Sequence, residues 1–221
     1  KNGKAEYLLY QHAFDQSIYL ADWNAGYRHP IVTKHYDDVT AFVNDNYAGI
    51  RGALVLNMLH KHLGEEKWWK TIKLYTQSNA GKSVNTSNLL KAAEEASGEK
   101  LDWFFDQWIY SMGHPVFVVT KQYDAVHKEL KIDVKQTQSI NLKDEFPQVK
   151  YFNGKVDIEI DGKIEHVWLD AKSENTYTFK LTDKPKLTNF DYESTWIKEI
   201  QFEKTFDELL YQFNYSKDIL A

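Results

Sequence analysis

LDWFFDQWIYSMGHPVFVV, residues 101–119, contains a change of period. Its first half sets Trp103, Phe104, Trp108 and Ile109 at helical spacing, which predicts one densely aromatic face buried in a core. After Gly113-His114-Pro115 the period becomes two, the signature of half-buried strands. The stretch divides the chain into a helical part up to residue 113 and a strand-rich part that follows, an α+β, multidomain reading.

Toward the N-terminus the helical signals repeat. AEYLLYQHAFDQSIYLA, residues 5–21, is amphipathic, and a loop follows, WNAGYRHPIVTKHYDD, with Gly26 and Pro30 as breakers. Residues 53–63 predict a buried helix with Leu54, Met58 and Leu59 near one face, ended by Gly64. Residues 65–76 predict another, with Glu65 and Glu66 in its first turn and Trp68, Trp69, Ile72 and Tyr75 on one face. Asn85 or Thr86 can cap a helix over 89–97, which Gly98 ends.

Toward the C-terminus Leu130, Ile132 and Val134 alternate with charged residues, as do Val156, Ile158 and Ile160, then Tyr177, Phe179 and Leu181. Asp161-Gly162 marks a tight hairpin, with Ile164, His166 and Trp168 on one face of the return strand. Short strands at this spacing predict an antiparallel β-sandwich after residue 113. Residues 205–220 turn helical again, a segment too short to be stable unless it packs on something.

Composition narrows the functional classes. The chain has 221 residues, 43% hydrophobic and 15% aromatic, enough for a packed core. A net charge of −5 lacks the basic footprint of a nucleic-acid binder. With no cysteine, disulfides, thiolate metal sites and Cys nucleophiles are excluded together. No apolar run reaches membrane-spanning length. Lys, Asn, Ile and Tyr are abundant and Pro scarce, which leans toward a bacterial source and leaves the compartment open. Lys1-Asn2-Gly3-Lys4 has no initiator Met and no apolar signal core, so a fragment of a longer product is expected.

Local motifs give little chemistry. His60 and His62 stand about 200° apart on a helix and cannot share a ligand face. His29, His35, Asp37 and Asp38 share a polar loop that could bind a metal, although loop polarity explains them as well. His114 reads as a structural corner. AGKS at 80–83 is no P-loop, since Thr76 stands where the first glycine belongs. Glu65-Glu66 and Glu94-Glu95 read as solvated helix faces, and Asn85 and Asn214 begin weak N-glycosylation sequons.

GALVLNMLHKHLGEEKWWKTIKLYTQ, then NTSNLLKAAEEASGEKLDWFFDQWIYSMGHPVFVV, resembles the M1 family of zinc aminopeptidases. The similarity runs on through LKIDVKQTQ, VDIEIDG and FDYESTWIKEIQFEKTFDELLYQF. The resemblance implies that 1–113 are the helical C-terminal lobe of a thermolysin-like catalytic domain, 114–196 its following β-sandwich, and 197–221 the start of a truncated helical domain. It implies a parent that removes N-terminal residues from peptides with a zinc-activated water. The family's HExxH motif, downstream zinc-ligating Glu and GxMEN loop do not occur here. Zinc would therefore belong to the parent and not be bound by this chain, which would be inactive without the missing N-terminal part of the catalytic domain.

The resemblance also raises the role of Tyr47. The family places a catalytic tyrosine, an oxyanion hydrogen-bond donor, in a YxKG-like motif ahead of the buried helix. Aligned without gaps, Arg51-Gly52 stand for Lys-Gly and the tyrosine position falls on Gly49. Either a shifted loop delivers Tyr47 to the site, or that tyrosine is gone and Tyr47 is an ordinary loop or core residue. The second case fits a non-catalytic M1-like scaffold that binds proteins. A third reading takes the strand region as a carbohydrate-binding module using exposed aromatics such as Trp168.

Overall fold

The computed structural model describes residues 3–33 and 46–216. The chain begins with α1 (Lys4–Tyr10), a π-helical stretch Gln11–Gln16 and α2 (Ser17–Ala25). It divides into two compact units: Ile18–Gly113 with Glu145–Gln148, and Lys1–Ser17 with His114–Asp144 and Val149–Ala221. The first strand-unit segment thus comes from the region that the sequence pattern grouped with the helices.

In the helical unit a π-helical turn, Tyr47–Arg51, runs directly into α3 (Gly52–Leu63). Leu54, Val55, Met58, Leu59 and Leu63 of α3 are buried. Gly64 ends it at φ 77°, a conformation that favours glycine. In α4 (Glu65–Asn79) the inward face is Trp68, Thr71, Ile72 and Tyr75. Trp69 was expected there and is 60% exposed, its Nε1 donating to Glu65 Oε2 at 3.0 Å. One residue is 100° of helix, which turns position 69 off the 68/71/72/75 arc. Thr71 can be buried in that arc because its hydroxyl donates to the Lys67 carbonyl at 2.8 Å.

α5 (Thr86–Ser97) carries a reciprocal cap. Asn85 Oδ1 accepts from the Ser87 amide at 3.1 Å, and Asn88 Oδ1 accepts from the Asn85 amide at 2.9 Å. Its buried residues are Ala92, Ala93 and Ala96, whose small side chains let α4 approach closely. α6 (Asp102–Trp108) buries more than one face: Phe104, Phe105 and Trp108 are all inside, with Leu101 and Ile109 at its ends. Only Asp102 and Asp106, one turn apart, keep a strip of this helix in water. Glu94, expected on a solvated face, instead accepts from the Leu101 amide at 3.1 Å and fixes the entry to α6.

The strand unit holds two sheets. One has the order β5 (Glu174–Lys180), β2 (Glu129–Gln136), β1 (Val116–Asp124), β7 (Glu199–Phe202), and the other β4 (Lys163–Leu169), β3 (Gly154–Ile160), β6 (Thr188–Phe190). The alternating residues of β2 and β3 are buried as expected. Phe117 of β1 meets Phe190 of β6 edge-to-face, with ring centroids 5.3 Å apart. Asp161 and Gly162 both take positive φ, 49° and 83°, as a two-residue hairpin turn requires. On the return strand Val167 and Leu169 oppose Val156 and Gly154 and turn inward, so Ile164, His166 and Trp168 share the outer face, where Trp168 is 45% exposed.

One pairing departs from the antiparallel expectation. β7 pairs with β1 in parallel, Val116 opposite Glu199 through Val119 opposite Phe202. The chain reaches β7 from β6 of the other sheet, by a crossover and not by a hairpin, and such a connection allows parallel pairing. The strand region therefore extends past residue 196. α7 (Phe206–Tyr215) closes the described chain, its Thr205–Glu208 capping box in place.

Candidate functional site

Tyr47 begins the π-helical turn that leads into α3, and the turn directs its side chain inward. The residue is 2% exposed. Its hydroxyl donates to the Tyr27 carbonyl. The ring meets Tyr19 edge-on at 5.3 Å and lies 4.3 Å from the His29 ring. Burial, aided by the nearby Tyr19 and Asp22 and opposed by Arg51 and Arg28, holds the phenol well above its ordinary pKa. The group is therefore a hydrogen-bond donor at neutral pH and not a base.

Arg51 lies four residues on and is fully buried. Its Nη2 donates to the Gly113 carbonyl at 3.2 Å and more weakly to that of Ser111 at 3.4 Å, at the end of the helical unit. The guanidinium also lies 5.7 Å from the Tyr19 ring centre. Its Nε and Nη1 have no hydrogen-bond partner among the described residues. His29 donates from Nδ1 to the Pro30 carbonyl at 2.8 Å, which fixes the hydrogen on that nitrogen in the neutral ring. Tyr19, His29, Tyr47 and Arg51 thus form one aromatic and cationic cluster, to which Tyr27 adds only its backbone carbonyl. Sequence reasoning singled out Tyr47 and missed Tyr19 and Tyr27, which lie 20 or more positions away and carry no local signal.

At Gly49 the backbone has room. A Cβ built there meets nothing within 4 Å, whereas Tyr47 points into the cluster. The other sequence candidates are dispersed. His60 pairs with Glu65 at 3.1 Å and stacks on Trp68, while His62 pairs with Glu99 at 3.1 Å. His114 is buried with Nε2 3.0 Å from Glu199. His35, Asp37 and Asp38 lie outside the described residues. Among the described residues no group of three or more His, Asp or Glu is placed to hold a metal, so the donor set for zinc is not assembled by them. No described helix is long and apolar enough to cross a membrane.

The family model described as "Peptidase family M1 domain" matches residues 5–108, a span that includes the Tyr47 turn, Arg51 and helices α3 to α6. Over residues 5–108 the chain is similar to the M1 peptidases. The chain is 30% identical over 115 residues to "Aminopeptidase M1-A" of Oryza sativa subsp. japonica, a match covering 51% of this chain and 12% of that protein. It is 30% identical over 103 residues to "Transcription initiation factor TFIID subunit 2" of Schizosaccharomyces pombe, covering 42% of this chain and 9% of that protein. Among solved structures, aminopeptidase A of Legionella pneumophila in complex with aspartic acid superposes with a TM-score of 0.72 at 14% identity, over 86% of this chain and 22% of that one. The fold is shared, and the chain spans about a tenth of the length of the curated relatives it matches.

Proposed function

We propose that this chain is part of an M1-type zinc aminopeptidase. It would contribute the helical lobe that walls the active-site cleft, a β-sandwich after it, and in α7 the opening of a further helical domain. The observation that carries the reading is the M1 match across residues 5–108. The parent would cleave N-terminal residues from peptides, with zinc held by residues outside this chain supplying the activated water. Tyr47 would donate its phenolic hydrogen to the developing oxyanion, a role that fits a phenol kept protonated by burial. That role requires the hydroxyl to leave the Tyr27 carbonyl when substrate is present. On this reading the chain is inactive by itself.

A second reading, a non-catalytic M1-like scaffold that binds proteins, is favoured by Gly49. The aligned tyrosine position carries no side chain and opens onto unfilled space. The similarity to a protein named as a transcription-factor subunit points the same way.

The test is hydrolysis of aminoacyl 4-nitroanilides by the full-length polypeptide, with and without a chelator, in wild-type and Tyr47→Phe forms. The aminopeptidase reading expects chelator-sensitive release and a kcat lowered about 10²-fold or more by Tyr47→Phe. Chelator-sensitive activity unchanged by the substitution would remove Tyr47 from the mechanism. A folded, zinc-supplemented polypeptide with no activity would favour the scaffold.

A further inference from the structure

The interior of the sandwich turns polar at one end. Phe117 of β1 and Phe190 of β6 meet across the two sheets. Alternation puts Val119, Lys121 and Tyr123 on the same face of β1 as Phe117, and Thr188 on the same face of β6 as Phe190. Leu130 of β2 stands opposite Tyr123. Lys121 sits where the alternation calls for an apolar side chain, and Glu208 of α7 neutralises it. Around this pair the strands and α7 enclose a half-open cavity of about 1000 Å³, lined among others by Tyr123, Leu130, Thr188 and Tyr211. That volume is at the upper end of small-molecule sites. All of its residues belong to the strand unit.

The walls of the cavity are pinned. Lys184, Pro185 and Lys186 form part of its rim. The Lys186 and Leu187 amides donate to Asp161 Oδ1 at 2.8 and 2.9 Å, which anchors that loop on the hairpin turn between β3 and β4. On the α7 side Glu208 is held by Lys121 and by the Thr205 amide. Lys186 Nζ lies 5.6 Å from the centre of the Tyr211 ring, and that ring packs on Tyr215 with centroids 4.8 Å apart. Neither Lys184 nor Lys186 is ion-paired with a described residue. Thr188 is fully buried, and its Oγ1 has no hydrogen-bond partner among the described residues. Buried hydroxyls are satisfied as a rule, and an exception at a cavity wall marks a group that a ligand can satisfy.

We propose that this cavity binds a carboxylate carried on an aromatic body. The two rim lysines supply the counter-charge, and Tyr211, Tyr215 and Tyr123 supply the faces on which a ring packs. The charged lining decides between anions. Three lysines set against Asp207 and Glu208 leave one positive charge, which a carboxylate balances and a phosphate dianion exceeds.

The test titrates the full chain at pH 7 and low salt with 2-naphthylacetate, with 2-naphthylacetamide, which has the same body and no charge, and with 2-naphthyl phosphate. Backbone amide NMR shifts are the readout. The carboxylate should give saturating shifts within 121–130, 184–188 and 205–215. It should bind about tenfold more tightly than the amide, the size of one charge-assisted hydrogen bond, and more tightly than the phosphate. Replacing both rim lysines, Lys184→Gln with Lys186→Gln, should bring the carboxylate down to the affinity of the amide and leave the amide unchanged. Tyr211→Ala should weaken both. Shifts that fail to saturate or that lie elsewhere would overturn the proposal, as would equal binding of acid and amide, tighter binding of the phosphate, or a lysine double variant that binds as wild type. Loss of binding in the full-length polypeptide would also overturn it, since residues of the protein itself would then fill the cavity. The two lysines are exposed, so their replacement keeps the comparison open even if Tyr211→Ala fails to fold.

Discussion

Tyr47 and Gly49 are two residues apart on one π-helical turn and face opposite environments, one sealed and one open. Tyr47→Phe leaves the Tyr27 carbonyl without its donor. Urea unfolding should show a loss of about 0.5–1.5 kcal/mol, the net worth of one hydrogen bond. Gly49→Ala should stabilise by about 0.5–1 kcal/mol, because the backbone is helical and an added methyl meets no atom. Asp191→Asn should destabilise by about 3–5 kcal/mol, since it strands the Lys198 charge in the interior. Burial already raises the Asp191 carboxyl's pKa. A raised carboxyl gives no extra stability at neutral pH relative to acid, so the pair's role is to hold the turn after β6. Tyr47 was legible in the sequence because it precedes a patterned helix. The groups that seal it were not, because Tyr19, Tyr27 and His29 reach it only through tertiary packing.

Elements with local rules were readable, and those set by long-range partners were not. Asn85, Gly98 and Asp161-Gly162 ended or turned their elements as their chemistry requires. Asn85→Ala should therefore cost about 0.5–2 kcal/mol, measured by thermal unfolding. β7 was missed because its four residues, Glu-Ile-Gln-Phe, are too few to show a period, and its partner is β1, some 80 residues earlier. On β4 the pattern offered two alternating sets, and only the β3 register decides that Val167 and Leu169 go inward. In α7, burial alone would raise the Glu208 carboxyl, yet the Lys121 and Thr205 hydrogen bonds outweigh it and leave the pKa below the ordinary value. A lowered carboxyl supplies stability above its unfolded pKa and loses it as pH falls through the folded one. Amide exchange of 206–215 should therefore speed up in acid below about pH 4.5, and Lys121→Met should remove most of that dependence.

Across the whole molecule, exposed apolar and aromatic side chains bear on the competing readings. α7 turns Glu208 and Gln212 toward the strand unit and leaves Phe206, Leu209, Leu210 and Phe213 outward, with Phe213 89% exposed. An exposed apolar stripe of this kind is a surface that a partner can cover. Trp168 is exposed as a carbohydrate platform would need, but its outer-face neighbours are His166, paired with Asp157, and Ile164, which make no aromatic platform. The helical-then-strand division was legible from residues 101–119 because the period itself changes there. The chemistry was not, since no HExxH motif occurs in this sequence. Zinc stoichiometry of the purified full-length polypeptide, by native mass spectrometry, tests the central claim most directly. One tightly bound, chelator-removable zinc per chain is the result the aminopeptidase reading predicts. A folded polypeptide that takes up no zinc would contradict it and leave an M1-like scaffold.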